Sequence, residues 1–409
     1  MQSLEKYRET IYFAQVSNNL GGLYLEMGKQ EEAENYFKQA RQINKETFDP
    51  KYTTNRLNLG HFALLYINQN RLDEAEELLL ELLEIQFNLL DDLEPDSLKY
   101  LHKIASEYFN KGFYDQAEEL SLKINQLYKK FQLTNSIEYC ESLNFLATSY
   151  TRVNKLEDSI RLSTEAIAIG KKLFYESKID RNSYTSSSLT IIESYTNLGI
   201  ALWNVAQKFN QPPQLNQRIN FLLEAEIYTR QSLELCQLIF ERTNDKTVQY
   251  RESHIHNNFG LILEDLEKYS EAEKSYKIAL YLRRKELGNE HYLVGQSLLN
   301  LAACYDWQKK NDEQTEQMLL ECERIWENLL EPSHPEIVHC YACLANFYDR
   351  KRQFKKAIGY FHKTIENCRI RQDVSIDFYQ RKLEECIKRS QNLKPKKSSQ
   401  SSNKPQGFG

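Results

Sequence analysis

The chain has 409 residues, 27% of them charged and 41% hydrophobic, and a formal net charge of −5. That balance excludes a basic nucleic-acid footprint, and no run of about 18 apolar residues is present to span a membrane. Only 13 Gly and 8 Pro disfavour a β-rich fold, so a soluble, helix-rich protein is expected. The opening MQSLEKYRET has no apolar core of a secretory leader. Together with eight scattered cysteines it predicts reduced, partly buried thiols in the cytosol.

Residues 3–27 carry apolar side chains at helical spacing (Leu4, Tyr7, Ile11, Ala14, Leu20, Tyr24), and Gly28 ends that helix. A second helix from about Glu31 puts Ala33, Phe37 and Ala40 on one face. The small residues Gly21, Ala33 and Ala40 let the two backbones approach, with Leu20, Tyr24 and Phe37 filling the space around the contact. The bulky-small pair Leu20-Gly21 returns as Phe62-Ala63, Ile104-Ala105 and Leu146-Ala147, each step 42 residues. It continues as Leu198-Gly199, Phe259-Gly260, Leu301-Ala302 and Leu344-Ala345. A fixed period in this range marks a repeat architecture, in which one hairpin cannot bury its outer faces and must stack on the next.

Three places break the rhythm. Ten extra residues between the fourth and fifth copies, including Ser183-Tyr-Thr-Ser-Ser-Ser188, predict a long loop near 176–190. The insertion QKFNQPPQLNQRIN predicts another near 207–220, either a tolerated surface loop or a flap and docking point, with the second helix resuming around Glu224. In the seventh copy Gln314 and Glu321 stand where small residues are expected, which predicts looser packing. The eighth copy, Cys340–Glu366, is regular, and Ser375–Asn392 reads as an amphipathic end cap. The tail 392–409, KPKKSSQSSNKPQGFG in its last 16 residues, is expected to be a disordered basic segment.

The stretch Ser297–Ile337 and the segment NNFGLILEDLEKYSEAEKSYKIALYLRRKELGNEHYL carry the repeat most clearly. They resemble the tetratricopeptide repeat in the 42-residue form of kinesin light chains, over eight copies from roughly Gln15 to Glu366. Gly288-Asn-Glu-His291 and Glu331-Pro-Ser-His-Pro335 resemble the family's inter-repeat linker, which implies structural roles for His291 and His334. The resemblance implies an all-α, right-handed α-solenoid over residues 1–391. Kinesin light chain itself would need a heptad coiled coil ahead of its repeats, whereas these begin almost at Met1.

No catalytic constellation is present, so no enzyme activity and no cofactor are expected. Gly28-Lys29 lacks the spacing and the Ser/Thr of a phosphate-binding loop, and no G-x-S-x-G or HExxH occurs. Cys340-Tyr-Ala-Cys343, beside His339, lacks the second ligand pair that zinc needs and falls mid-helix, so it reads as packed thiols. The asparagines carry more. Asn18-Asn19, Asn144, Asn197, Asn257-Asn258 and Asn300 precede the bulky-small pair, and Asn346 follows it. Asn is a poor mid-helix residue, so its recurrence indicates use: either a ladder of amides for an extended peptide or hydrogen bonds between adjacent repeats. In the family the resemblance points to, Asn at these places lines the concave face and contacts cargo peptides. Lys103, Arg152, Trp203, Trp307 and Arg350 share the same helical phase, and the two tryptophans are either apolar anchors or packing between repeats. The ladder is interrupted in the second and third copies, which offer Gly60-His61 and His102-Lys103, and on the same face the third and fourth copies look basic and the sixth acidic. The expected function is a cytoplasmic scaffold or adaptor whose concave groove holds a protein or peptide segment, within a motor or cytoskeletal complex. A structural subunit of a larger cytoskeletal or ciliary assembly, or a regulatory module of a signalling complex, are the alternatives.

Overall fold

A computed structural model describes residues 2–47, 53–88, 95–176, 181–209, 211–331, 334–370 and 375–392. Among them every regular element is helical. The first unit, Met1–Asp245, holds α1 (Gln2–Glu26), α2 (Gln30–Thr47), α3 (Thr53–Asn68), α4 (Leu72–Asn88) and α5 (Pro95–Asn110). It continues with α6 (Tyr114–Lys130), α7 (Ile137–Arg152), α8 (Leu156–Glu176), α9 (Arg181–Ala206) and α10 (Leu215–Thr243). The second unit, Lys246–Gly409, holds α11 (Lys246–Asp265), α12 (Tyr269–Leu287), α13 (Tyr292–Trp307) and α14 (Asp312–Leu329). It ends with α15 (Pro335–Arg350), α16 (Phe354–Ile370) and α17 (Ile376–Asn392).

Each odd-numbered helix packs on the even-numbered one that follows, giving five hairpins in the first unit and three in the second. The copies read from the period are these hairpins. Within the first unit α1 also meets α3, α3 meets α5, and α7 meets α9. Phe109 of α5 lies edge-on to Phe145 of α7 at 5.7 Å. Within the second unit α11 meets α13 and α13 meets α15. In both, the odd helices form one inner layer against which the even helices lean.

The turn between partners is built the same way in seven hairpins. Gly28, Asn70, Gly112, Asn154, Glu267, Lys309 and Arg352 all have positive φ. In the first of these turns Lys29 N donates to Tyr24 O at 2.9 Å and Gly28 N to Leu25 O at 3.1 Å, the paired bonds of a left-handed helix stop. The later turns repeat both bonds, for example Lys268 N to Leu263 O and Glu267 N to Glu264 O. Glycine adopts this conformation freely, whereas a side chain at φ 59° is strained, as at Glu267. Glu267→Gly should therefore stabilise the fold by roughly 0.5–1 kcal/mol, read as a higher midpoint in urea. An unchanged or lower midpoint would count against the strain.

The bulky-small pair explains the close helix crossing. A Cβ on Gly21 would lie 2.5 Å from the Phe37 ring, and one on Gly260 would lie 2.3 Å from the Tyr276 ring. Both rings are fully buried. Sixteen residues separate each glycine from its ring, and the copies with Ala63, Ala105 and Ala147 place Leu79, Ser121 and Ser163 there instead, while in the seventh copy, one residue longer at Asn311, Leu319 takes that place. At these places the larger ring goes with the missing methyl group, whereas Ala345 faces the register of Phe361 and Gly199 lies against Thr229.

Three expectations are corrected. The Ser-rich stretch is not a long loop: α9 begins at Arg181, so of the expected 176–190 loop only 177–180 lie outside the described residues. Its small side chains suit a close crossing, with Ser187 and Ser188 buried and Ile191 so near Gly170 that a Cβ there would meet it at 2.8 Å. The 207–220 loop is shorter too. Pro212–Gln214 form a 3-10 turn that starts α10 at Leu215, and Phe209 stacks on Phe221 at 5.5 Å. The seventh hairpin is not loosely packed either. Asn311, an extra residue at φ 41°, caps α14 by accepting from Gln314 N at 3.3 Å. That insertion shifts the register by one, so the fully buried Thr315 and Cys322 occupy the small positions in place of Gln314 and Glu321. The end cap is as expected: α17 packs on α16 through Leu383 and Cys386. Of the basic tail, 393–409 lie outside the described residues.

Candidate partner-binding surface

The inner helices α1, α3, α5, α7, α9, α11, α13 and α15 carry all the residues singled out by helical phase, but these divide into two groups. Asn18, Asn144 and Asn257 are buried, each no more than 2% exposed. Asn58 Nδ2 donates to Asn18 Oδ1 at 3.4 Å and to Phe37 O at 3.2 Å. Asn144 donates to Thr190 O at 3.1 Å and accepts from Ser194 Oγ at 2.8 Å, while its carbonyl accepts from Asn197 Nδ2 at 3.1 Å. Asn257 Oδ1 accepts from Asn300 Nδ2 at 3.1 Å. Each contact joins one hairpin to the next. These three side chains are bridges between repeats, and the reading in which they touch a ligand is corrected in favour of the inter-repeat one, because amides exposed by no more than 2% lie out of a peptide's reach.

Arg283 deepens the pattern. Its side chain comes from α12, is 1% exposed, and donates to Leu293 O (2.9 Å), Gln296 Oε1 (3.1 Å), Ser297 Oγ (2.8 Å) and Asn257 Oδ1 (3.4 Å). Burial pulls its pKa down to about 10, still leaving a guanidinium at neutral pH. Sequence reasoning passed over it, because an arginine on an outer helix gives no signal of pointing inward.

The second group faces solvent. Asn19, Lys103, Arg152, Asn346 and Arg350 are exposed, while Asn197, Asn258, Asn300 and Trp203 are half-buried. Trp307, the last residue of α13, is 73% exposed. Arg350, at the end of the neighbouring α15, bonds Asp306 beside that tryptophan and Asp312 at 3.2 Å. Arg152 lies over the Phe109 ring at 5.9 Å, tying α7 to α5. The expected basic character of the third copy is reduced to its lysine, since burial pulls His102 down to about 4. His61 and His254 are lowered to about 4 as well, by burial first and then by neighbouring cations. Glu264 turns inward, accepting from Tyr276 OH at 3.0 Å, and burial raises its carboxyl pKa.

The linker histidines are structural. His291 Nδ1 accepts from Leu293 N at 3.1 Å and His334 Nδ1 from Glu336 N at 3.2 Å, so each caps the helix it precedes. Cys340 is buried, with Sγ 3.8 Å from Leu319 O, and burial pushes the Cys343 thiol up to about 12. Both are therefore thiols at neutral pH, poor as nucleophiles or ligands.

A charged knot secures the second unit below this surface. Glu273 accepts from Lys277 Nζ (2.7 Å), Lys310 Nζ (2.6 Å) and Tyr305 OH (3.2 Å). Burial acts to raise its pKa, but the two lysines prevail and hold it at about 2. A depressed carboxyl contributes stability above its unfolded pKa, near 4.5, and loses it as pH falls toward 2. Glu273→Gln should cost about 1–2 kcal/mol at pH 7, discounted for partial solvent screening, and far less at pH 3. Urea denaturation at the two pH values checks this; an equal cost at both would refute it.

The descriptive match to known proteins follows the same architecture. Residues 12–86 and 251–314 match the family model for the tetratricopeptide repeat. Over 81 residues the chain is 26% identical to the Xenopus laevis histone-binding protein N1/N2, covering 20% of this chain and 14% of that protein's length. Aspartyl phosphate phosphatase F from Bacillus subtilis shares the fold at TM-score 0.53 and 12% identity, over 89% of this chain and 95% of that one. A Podosopora anserina putative kinesin light chain with nearly identical TPR-like repeats aligns at TM-score 0.38 and 20% identity, over 53% of this chain and 95% of that one. The segments 12–86 and 251–314 are thus tetratricopeptide repeats, and the other hairpins share their helical architecture.

Proposed function

We propose that the protein is a non-enzymatic scaffold or adaptor of the kinesin-light-chain kind, holding a segment of a partner polypeptide against its inner helices. The observation that carries this reading is Trp307, left 73% exposed at the end of an inner helix whose Leu298, Leu299, Leu301 and Tyr305 are buried. A large amphipathic ring standing in water at such a place is the kind of residue that dominates binding energy at interfaces. Beside it, Asp306 and Arg350 offer paired charges that could orient a partner's backbone or polar side chains. Lys103 and Arg152 add positive charge on the inner helices of the first unit, which favours a partner with acidic residues. The resemblance of the repeat to that of kinesin light chains makes a cytoplasmic partner of motor or cytoskeletal type the first candidate.

Affinity capture of the full chain with quantitative mass spectrometry tests the reading. Trp307→Ala should weaken capture of the principal partner about 30-fold or more, equivalent to roughly 2 kcal/mol, with an unchanged melting temperature. Undiminished capture by a folded Trp307→Ala chain would reject the site.

A further inference from the structure

The first helix carries a second surface. Phe13, Val16, Leu20 and Leu23 follow one another at steps of 3, 4 and 3 along α1, and Met27, in the turn that ends it, continues the spacing, the a/d seam of a helix that pairs with another helix. Leu20 is half-buried, and the others are 53%, 52%, 52% and 57% exposed. The corresponding positions of later inner helices are covered. In α13 they are Val294, Ser297, Leu301 and Cys304, and in α15 Ile337, Cys340, Leu344 and Phe347, none more than 4% exposed. The seam on α1 thus corresponds to the face by which the hairpins of α13 and α15 lean on their predecessors.

The occupant must bring a matching apolar helix. Within the 409 residues, the segments outside the described helices hold at most six residues each between elements. The 17 residues after Asn392 contain Leu393 and Phe408 as their only large apolar residues. Neither can lay a seam along four turns of helix. The other end of the chain does not fit either, because α17 turns Asp377, Arg381, Glu384, Glu385 and Lys388 to solvent. Head-to-tail stacking would set those charges on Phe13 and Leu23, so a closed pair is favoured over an open filament.

We propose that α1 pairs with α1 of a second copy, forming a two-fold symmetric dimer through this seam. Antiparallel alignment about Leu20 sets Phe13 against Met27, Val16 against Leu23 and Leu20 against itself. Each layer then has nearly constant volume, whereas a parallel pair would stack Phe on Phe and Val on Val. The positions flanking the seam include Asn19, Ser17 and Tyr24, which are uncharged, so self-pairing meets little like-charge repulsion.

Sedimentation equilibrium of the full chain tests this. The wild type should sediment at twice its 48.4 kDa mass at micromolar concentration. Leu23→Glu and Val16→Glu, each at an exposed site, should weaken self-association about 100-fold or more while leaving helicity and melting of the remaining chain intact. Mixed Val16→Cys and Leu23→Cys chains should cross-link to each other in preference to themselves. A monomeric wild type up to about 100 μM would overturn the dimer, as would a dimer indifferent to both charge substitutions. Preferred cross-linking of Val16→Cys with itself would overturn the antiparallel alignment.

Discussion

Replacing Arg283 by alanine is expected to destabilise the second unit by about 3–4 kcal/mol. The guanidinium is fully enclosed and supplies hydrogen bonds to four acceptors on α11 and α13, so its loss takes that donor from Leu293 O, Gln296 and Ser297 together, while Asn257 Oδ1 keeps its bond from Asn300. Buried acceptors without a donor cost about 1–3 kcal/mol each, although relaxation and water recover part of that. The truncation also leaves a cavity the length of an arginine. Arg283→Met fills the volume and removes the desolvated charge but leaves the acceptors unpaired, so it should cost less than half as much. Equal losses for the two substitutions would place the whole effect in the hydrogen bonds. No loss for either would remove Arg283 from the frame of the fold.

The second large effect concerns Gly260. A methyl group there would sit 2.3–2.6 Å from three ring carbons of Tyr276, which cannot swing away because it is buried and its hydroxyl is bonded to Glu264. Overpacking of this kind costs about 1–3 kcal/mol, and the helix-propensity gain of Ala over Gly returns about 1. Because the overlap is severe, the net expected loss is about 2 kcal/mol, measured as a lower urea midpoint. Gly260→Ala combined with Tyr276→Leu reproduces the pairing found at Ala63 and Leu79, and should be less damaging than the sum of the two single changes. Simple additivity would show that the glycine and the ring are not paired by size.

Much of the architecture was legible in the sequence. The period, the bulky-small pairs and the turn residues give the hairpins directly, because close helix crossings restrict which side chains fit. The loops were less legible. Ser183–Ser188 looks like a loop by composition, yet small hydroxyl residues serve equally well inside a helix that crosses a neighbour closely. In the seventh copy, Asn311 shifts the register by one residue, and a fixed count of positions placed the small residues wrongly. The surface was half legible. The recurrence of Asn pointed correctly to a repeated use, but helical phase cannot distinguish an amide facing the next hairpin from one facing solvent. Asn18, Asn144 and Asn257 turned inward, while Trp307 and Asn346 stayed out. The seam on α1 was present in the apolar spacing from the start, and only the covered counterparts in α13 and α15 reveal that it lacks a cover.

The division between a frame that holds the hairpins and a surface that holds a partner is best tested by melting and partner binding measured on the same preparations of wild type, Arg283→Met and Trp307→Ala. The account predicts a lower melting temperature with partner affinity retained for Arg283→Met, and an unchanged melting temperature with affinity lost for Trp307→Ala. The reverse assignment, with Trp307 needed for stability and dispensable for binding, would contradict it.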